Sequence, residues 1–152
     1  MVRSKRLKPI KKLAQNNEKA AAKALGESLD NHKQELQKLN QLEQYRIEYL
    51  TEMEEKVKAG VSGAALQHYH QFLNKLNLAI TQQKDVIQKS TEQVDINQDQ
   101  WKSKHSRTKA ISQVMTKIKD KEVKQKEKKE SAQIDEMSTQ AFIRRQNSNG
   151  LG

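Results

Sequence analysis

A seven-residue apolar repeat is the feature that most restricts what this chain can fold into. From Leu66 to Glu122 the spacing alternates strictly between three and four residues, and eleven of its seventeen positions are apolar. Such a period, held without Gly or Pro, is typical of a left-handed coiled coil. The seam positions are Leu66, Tyr69, Leu73, Leu76, Ile80, Gln83, Ile87, Ser90, Val94, Asn97, Trp101, Lys104, Thr108, Ile111, Met115, Ile118 and Glu122.

The first part of the chain carries a second repeat with the same period. With 34% hydrophobic and 32% charged residues, the composition fits either disorder or a coiled coil with a narrow core. The sustained period favours the coiled coil. We predict the second seam at Ala22, Leu25, Leu29, His32, Leu36, Leu39, Glu43, Arg46, Leu50, Met53 and Val57.

The two repeats are separated by a short segment with the residues of a turn. Gly60 can take the left-handed conformation that ends a helix, and Ser62 can cap the next one. Because so short a connection makes two helices antiparallel neighbours, we predict an all-α fold. It is a long antiparallel two-helix coiled-coil hairpin, with its turn at about residues 59–63.

We predict one coiled-coil protein over residues 1–152, without further domains. Helix one is expected at about residues 10–58, because Pro9 is tolerated only near a helix start. Helix two is expected at about residues 63–142, followed by a frayed tail at 143–152. Folding back at the turn places residue i opposite about residue 121 − i. Helix two then extends beyond helix one by roughly thirty residues.

The net charge of +10 is concentrated at the two ends of the chain. Residues 1–12 carry six bases and no acid, and residues 102–152 carry thirteen bases and six acids. The hairpin geometry brings these stretches together as a basic end. Its bases are Arg3, Lys5, Arg6, Lys8, Lys11, Lys12, Lys102, Lys104, Arg107 and Lys109. A basic end can bind an acidic protein, nucleic acid or anionic lipid.

Nothing in the sequence indicates catalysis or a bound cofactor. The chain has no cysteine, and His68 and His70 point about 200° apart on a helix, so they cannot share a metal ion. No phosphate-binding loop or nucleophile motif occurs. We therefore expect a non-enzymatic protein without metal, cofactor or small-molecule substrate. No apolar run approaches the roughly 20 residues that span a bilayer, so we expect a cytoplasmic protein.

A group of apolar side chains lies beside the seam, close to the turn. The predicted register brings its two halves together on one flank: Leu42, Tyr45 and Tyr49 from helix one, with Phe72, Leu76, Ala79 and Gln83 from helix two. These side chains either widen the core or form a docking face. We favour docking, because a two-helix protein has no other element to cover the flank and apolar aromatic surfaces anchor protein interfaces.

The segment around the turn resembles the flagellar export protein FliJ family. The resemblance rests on Tyr45-Arg46-Ile47-Glu48-Tyr49-Leu50, then Gly60 and Ser62, then the run from Leu66 to Gln83 with Tyr69, Phe72, Leu73, Leu76, Ala79 and Ile80. Trp101 and Lys109-Ala110 fit as well. The similarity covers most of the chain and is most specific between residues 42 and 83.

The resemblance implies a part in flagellar type III protein export, and thus in flagellum assembly, motility and chemotaxis. Family members are antiparallel coiled coils similar to the central stalk of rotary ATPases. They bind and stimulate the hexameric export ATPase FliI, contact the export gate FlhA and assist export chaperones. The gate-binding surface would be the group from Leu42 to Gln83 named above, and the basic end would enter the ATPase.

The implied location is the cytoplasmic face of the inner membrane at the flagellar base. Two alternatives stay open. One is a basic coiled coil that binds nucleic acid or anionic membrane, although no nucleic-acid-reading motif is present. The other is the equivalent stalk of a virulence-type secretion system.

Overall fold

The computed structural model describes residues 2–150 and consists of two helices. Helix α1 runs over Val2–Ala59 and helix α2 over Gly63–Gly150. The two helices pack against each other, and no residue of the described range is in a strand. The predicted all-α hairpin is therefore confirmed.

The turn has the capping interactions that its residues predict. Gly60 has a φ of +94°, in the left-handed region that favours glycine, and its N–H donates to the Val57 carbonyl at 3.2 Å. The Ser62 hydroxyl accepts from the Ala65 N–H at 3.2 Å, which satisfies a free donor of the first turn of α2. Chain reversal between residues 59 and 63 is thus determined by local chemistry.

Helix α1 begins at Val2, whereas we predicted a start at about residue 10. Pro9 lies inside the helix, where it has no N–H to donate to the preceding turn. The turns before it are held by α2. Ser4 is buried, and its N–H and hydroxyl donate to the Glu122 carboxylate at 3.4 and 2.9 Å. Because the first turn of α1 contains no acidic residue, Glu122 supplies the cap from the other helix.

Helix α2 continues to Gly150, past the predicted end at about residue 142. Every residue from 123 to 150 is exposed. Helical backbone hydrogen bonds, rather than a buried core, therefore hold this segment in shape. Fraying at residues 143–150 stays a prediction, and residues 151 and 152 lie outside the described range.

The chain divides into two compact units. The hairpin unit is Asn17–Lys104. Its apolar core includes Leu73, Leu76 and Ile80, all buried. The terminal unit is Met1–Asn16 with His105–Gly152, and Ala14 and Met115 are its buried apolar residues.

The predicted seam of α2 is confirmed at sixteen of its seventeen positions. Every position from Leu66 to Glu122 in the three–four spacing is buried or half-buried, except Lys104, which is exposed. A lysine with an exposed head group is the usual compromise where a long charged side chain falls at a seam position.

The predicted seam of α1 is wrong at six of its eleven positions, since Ala22, Leu29, Leu36, Glu43, Arg46 and Val57 are exposed. Leu29 and Leu36 are 49% and 45% exposed, whereas Ser28 is buried and Glu35 is half-buried. The side of α1 that faces α2 follows the same seven-residue period, shifted by one residue at alternate positions. It consists of Ser4, Leu7, Lys11, Ala14, Glu18, Ala21, Leu25, Ser28, His32, Glu35, Leu39, Leu42, Tyr49 and Met53, all buried or half-buried.

Hydrogen bonds between the helices explain the shift. The Gln83 amide donates to the carbonyl oxygen of Glu35 at 2.9 Å and to its carboxylate at 2.6 Å. His32 Nδ1 lies 2.7 Å from the Ser90 hydroxyl. Because α2 presents polar side chains at these levels, α1 turns polar side chains toward them and leaves nearby leucines outside.

The predicted pairing of residues holds in the hairpin unit. The Asn97 amide donates to the Ala24 carbonyl at 3.2 Å, and these two numbers add to the expected 121. In the terminal unit the register differs, because Ser4 contacts Glu122, whereas the pairing rule placed residue 117 opposite it.

Candidate functional site

Four aromatic rings form one continuous cluster in the hairpin unit. The ring centroids of Tyr49 and Phe72 are 4.5 Å apart, and those of Tyr45 and Phe72 are 5.8 Å apart in an edge-to-face arrangement. Tyr45 and Tyr49, one helical turn apart, have centroids separated by 6.4 Å. Tyr69 joins on the far side, 5.1 Å from Tyr49. Such ring pairs fix one another's orientation and stabilise beyond the area they bury.

Charged groups border this cluster on the side nearest the turn. The Lys56 ammonium lies 5.8 Å from the centre of the Tyr69 ring and 3.7 Å from the Glu52 carboxylate. Interaction with the Tyr69 hydroxyl, followed by Glu52, raises the pKa of Lys56. Burial is the main cause that raises the pKa of the Tyr49 hydroxyl. At neutral pH the Tyr49 hydroxyl therefore stays protonated and Lys56 stays a cation.

The structure distributes the predicted patch residues between surface and core. Tyr45 is 48% exposed, and Leu42, Tyr49, Phe72, Ala79 and Gln83 are half-buried. Leu76 is 6% exposed and belongs to the core. Gln83 holds Glu35 across the seam, so part of its bonding capacity is already used. We define the aromatic patch as Tyr45, Tyr49, Tyr69 and Phe72.

Tyr69 is the member that sequence reasoning assigned only to the seam. Its position does belong to the seam of α2, but the ring is large enough to reach Tyr49 from there. Ring size was the available signal, because an aromatic side chain at a seam position close to a turn extends to the flank.

A shallow groove continues the aromatic patch away from the turn. Its volume is about 450 Å³, and it is lined by Lys38, Gln41, Leu42, Tyr45 and Gln83. The groove thus has one apolar wall, one aromatic wall and a cation at its rim. It suits the side chain of a protein partner.

The residues of the predicted basic end lie in both units. Lys102 and Lys104 belong to the hairpin unit, and both are exposed. The remaining eight belong to the terminal unit and are exposed apart from half-buried Lys11: Arg3, Lys5, Arg6, Lys8, Lys11, Lys12, Arg107 and Lys109.

The terminal unit also contains a wider cleft, lined by two lysines of the predicted basic end and by three that the prediction omitted. Lys5 and Lys8 line it from α1, and Lys119, Lys126 and Lys129 line it from α2. Its volume is about 540 Å³, and Ser4, Glu122, Val123 and Gln125 complete the lining. Because Ser4 lies opposite Glu122 instead of residue 117, lysines on either side of Glu122 lie beside the start of α1. We name this cleft the basic cleft.

Two further properties of the described residues bear on the kind of protein. Residues 2–150 contain no cluster of three or more His, Asp or Glu side chains placed to hold a metal ion. Within the same range, neither helix has a segment long and apolar enough to cross a membrane.

Two long helices, a short capped turn and an aromatic patch on one flank define a coiled-coil protein whose distinctive surfaces suit protein contacts. The family model described as "Flagellar FliJ protein" matches residues 4–147. The chain therefore belongs to the FliJ family, whose members are non-catalytic components of the flagellar export apparatus. No curated protein and no solved structure gives a significant match.

Proposed function

We propose that this chain is a stalk-like linker of the flagellar type III export apparatus, in contact with the export gate FlhA through its aromatic patch. It binds and stimulates the hexameric ATPase FliI through the terminal unit and assists export chaperones. Flagellum assembly and motility depend on it, and it works at the cytoplasmic face of the inner membrane. The observation that carries the proposal is the half-exposed Tyr45 ring, held edge-to-face on Phe72.

The aromatic patch has the properties of an interface anchor. Rigid rings lose little conformational entropy when a partner covers them, and Tyr residues are enriched where binding energy is concentrated. Phe72 and Tyr49 hold Tyr45 in place from beneath. The groove next to Tyr45 would accept an apolar side chain of the gate protein, with Lys38 available for an acidic neighbour.

The basic cleft supports the contact with the ATPase. Its five lysines generate a positive potential that favours an acidic protein surface and speeds association. Exposed Val123 adds an apolar contact between them. Placing the ATPase here and the gate at the aromatic patch assigns one partner to each unit.

The gate contact is tested with the purified cytoplasmic domain of FlhA and the full chain. Replacing Tyr45 and Phe72 by Ala should weaken binding at least about tenfold, as removal of anchor residues usually does. The matched control is Leu78→Ala, since Leu78 is 59% exposed on α2 and outside the patch. Equal binding by the patch variant and the control would refute the gate assignment.

The ATPase contact is tested by ATP hydrolysis. FliI activity should rise when the chain is added, and exchanging Lys119, Lys126 and Lys129 for Glu should remove the increase. The patch variant serves as the control that retains it. An unchanged FliI rate with the wild-type chain would refute this part of the proposal.

The basic cleft also favours a second candidate, a coiled coil that binds nucleic acid or anionic membrane. Retention on DNA or on anionic vesicles at physiological salt, without any effect on FliI, would support it. Loss of retention at moderate salt, together with FliI stimulation, would support the export function.

A further inference from the structure

Helix α1 carries a second stripe, with large apolar residues at five of its ten positions, that the hairpin leaves mostly exposed. It follows the three–four spacing through Gly26, Leu29, Lys33, Leu36, Asn40, Glu43, Ile47, Leu50, Glu54 and Val57. We name these ten positions the outer stripe. Leu29, Leu36, Ile47 and Val57 are all exposed, Ile47 by 58%, and Leu50 is half-buried. Four of the large apolar side chains exposed on α1 thus share one line.

The outer stripe is separate from the aromatic patch. Tyr45 follows Glu43 by two residues, which places it about 200° around α1 from that member of the stripe. A partner on the stripe would therefore leave the tyrosines uncovered, and the inference does not depend on the gate contact proposed above.

The period of the outer stripe identifies the kind of element that fits it. Leu29, Leu36, Leu50 and Val57 recur at one position of the seven-residue repeat, and Ile47 lies at the other. A second helix can pack along such a line of apolar side chains. Scattered surface leucines have no such period. A third helix, laid along α1 within the hairpin unit, would cover the stripe.

Gly26 is an independent sign of a close neighbour. A Cβ atom built on Gly26 would meet nothing within 4 Å, so packing within the chain does not require glycine there. Glycine in a helix interior lowers stability relative to alanine. Glycine at this end of the stripe would allow the backbone of a neighbouring helix to approach closely, because no Cβ atom is in the way.

Charge favours a basic partner. Residues 26–57 of α1 carry eight acids and four bases. The stripe itself holds two acids, Glu43 and Glu54, among the apolar residues near the turn, and one base, Lys33, toward its other end. A second copy of the chain placed against the same face would set two acidic surfaces against each other, which costs binding energy.

We propose that the outer stripe docks an amphipathic helix of a protein partner, with apolar side chains in three–four spacing and Lys or Arg along their flank. Its apolar residues pack on Leu36, Ile47 and Leu50. Its cations face Glu43 and Glu54. The docked helix turns the hairpin unit into a three-helix bundle.

The test uses the full chain and a fluorescent synthetic peptide of about four heptads, with Leu in three–four spacing and Lys along the flank. A twin peptide carries Glu in place of each Lys. Fluorescence anisotropy should show binding of the Lys peptide and none of the Glu twin. Tyr45→Ala and Phe72→Ala should leave this binding unchanged.

The decisive variant combines Leu36→Asp with Ile47→Asp. It should lower the affinity for the Lys peptide at least about tenfold. Both substitutions add negative charge, so a purely electrostatic contact would instead become stronger. Leu78→Asp, on α2, adds the same kind of charge outside the stripe. This variant should bind the Lys peptide with the affinity of the wild type. Equal binding by the double variant, or equal binding of the two peptides, would overturn the proposal.

Gly26→Ala separates an effect on binding from an effect on folding, because the two are expected to change in opposite directions. The variant should raise the midpoint of thermal unfolding and at the same time weaken peptide binding several-fold. Higher stability with unchanged peptide affinity would refute the inference that a partner helix packs closely against Gly26. Sedimentation of the wild-type chain alone completes the test, because a dimer abolished by Leu36→Asp would make a second copy the occupant and overturn the choice of a basic partner.

Discussion

Tyr45 and Leu76 distinguish a docking surface from a widened core. Leu76 is 6% exposed, so truncation to Ala removes nearly its whole buried contribution. Leu-to-Ala changes in cores cost about 2–5 kcal/mol, and with only two helices to close around the gap we expect about 2–3 kcal/mol. Tyr45 is 48% exposed and touches Phe72 by one edge, so Tyr45→Ala should cost about 1 kcal/mol.

Urea unfolding followed by far-ultraviolet circular dichroism measures both free energies. Tyr45→Ala should unfold close to the wild type and lose affinity for the FlhA domain, whereas Leu76→Ala should unfold at clearly lower urea. Tyr45→Phe keeps the ring contact and is the control for the hydroxyl group. If Tyr45→Ala destabilises as much as Leu76→Ala, Tyr45 is a core residue and the docking interpretation of the patch is wrong.

Three further predictions concern the turn, the seam and the end of α2. Gly60→Ala forces a side chain into a φ of +94° and should cost about 1–2 kcal/mol in thermal unfolding, against little change for Gly63→Ala at normal helical φ. The hydrogen bond from Gln83, followed by Lys38, lowers the pKa of Glu35 below 4.5, so its stabilisation is present above the ordinary Glu pKa and is lost as pH falls through the folded-state pKa. Glu35→Gln should therefore flatten the decline of stability on acidification, and an unchanged pH profile would refute the role of Glu35. Backbone amide hydrogen exchange should be fast over residues 123–150, where all side chains are exposed. Slow exchange there would show that tertiary contacts support this segment.

The hairpin was predictable because its signals are local or strictly periodic. The αL glycine and the serine cap at the turn act within a few residues, and the α2 seam repeats often enough to fix its phase. The start of α1 could not be predicted from Pro9 alone, since its first turns depend on Glu122, far away in the sequence. A contact between distant residues has no local signature.

The aromatic patch was predictable in part for the same reason. The pairing rule placed Tyr49 opposite Phe72, and the structure brings their rings together. Leu76 was assigned both to the α2 seam and to the flank, and the structure buries it in the seam. A one-residue difference in helix rotation decides between flank and core, and apolar content alone cannot resolve it.

The error in the α1 seam shows what chooses the face of a helix that has two apolar stripes. By apolar content, Leu29 and Leu36 belong in the seam, yet α1 buries Ser28 and half-buries Glu35 instead. Polar layers can fix register because any rotation leaves a buried hydrogen-bonding group without its partner.

Replacing Gln83 and Ser90 by Leu would remove that constraint from α2 and should allow α1 to rotate toward its leucines. Because the chain has no cysteine, a single Leu36→Cys reports the rotation through its rate of maleimide labelling. The thiol should react quickly in the native background and at least about tenfold more slowly in the Leu variant, as burial excludes the reagent. A cysteine at Ser28 should change in the opposite direction. Unchanged rates at both positions would mean that the seam is set by the apolar layers nearer the turn, and that the polar pairs follow the register rather than determine it.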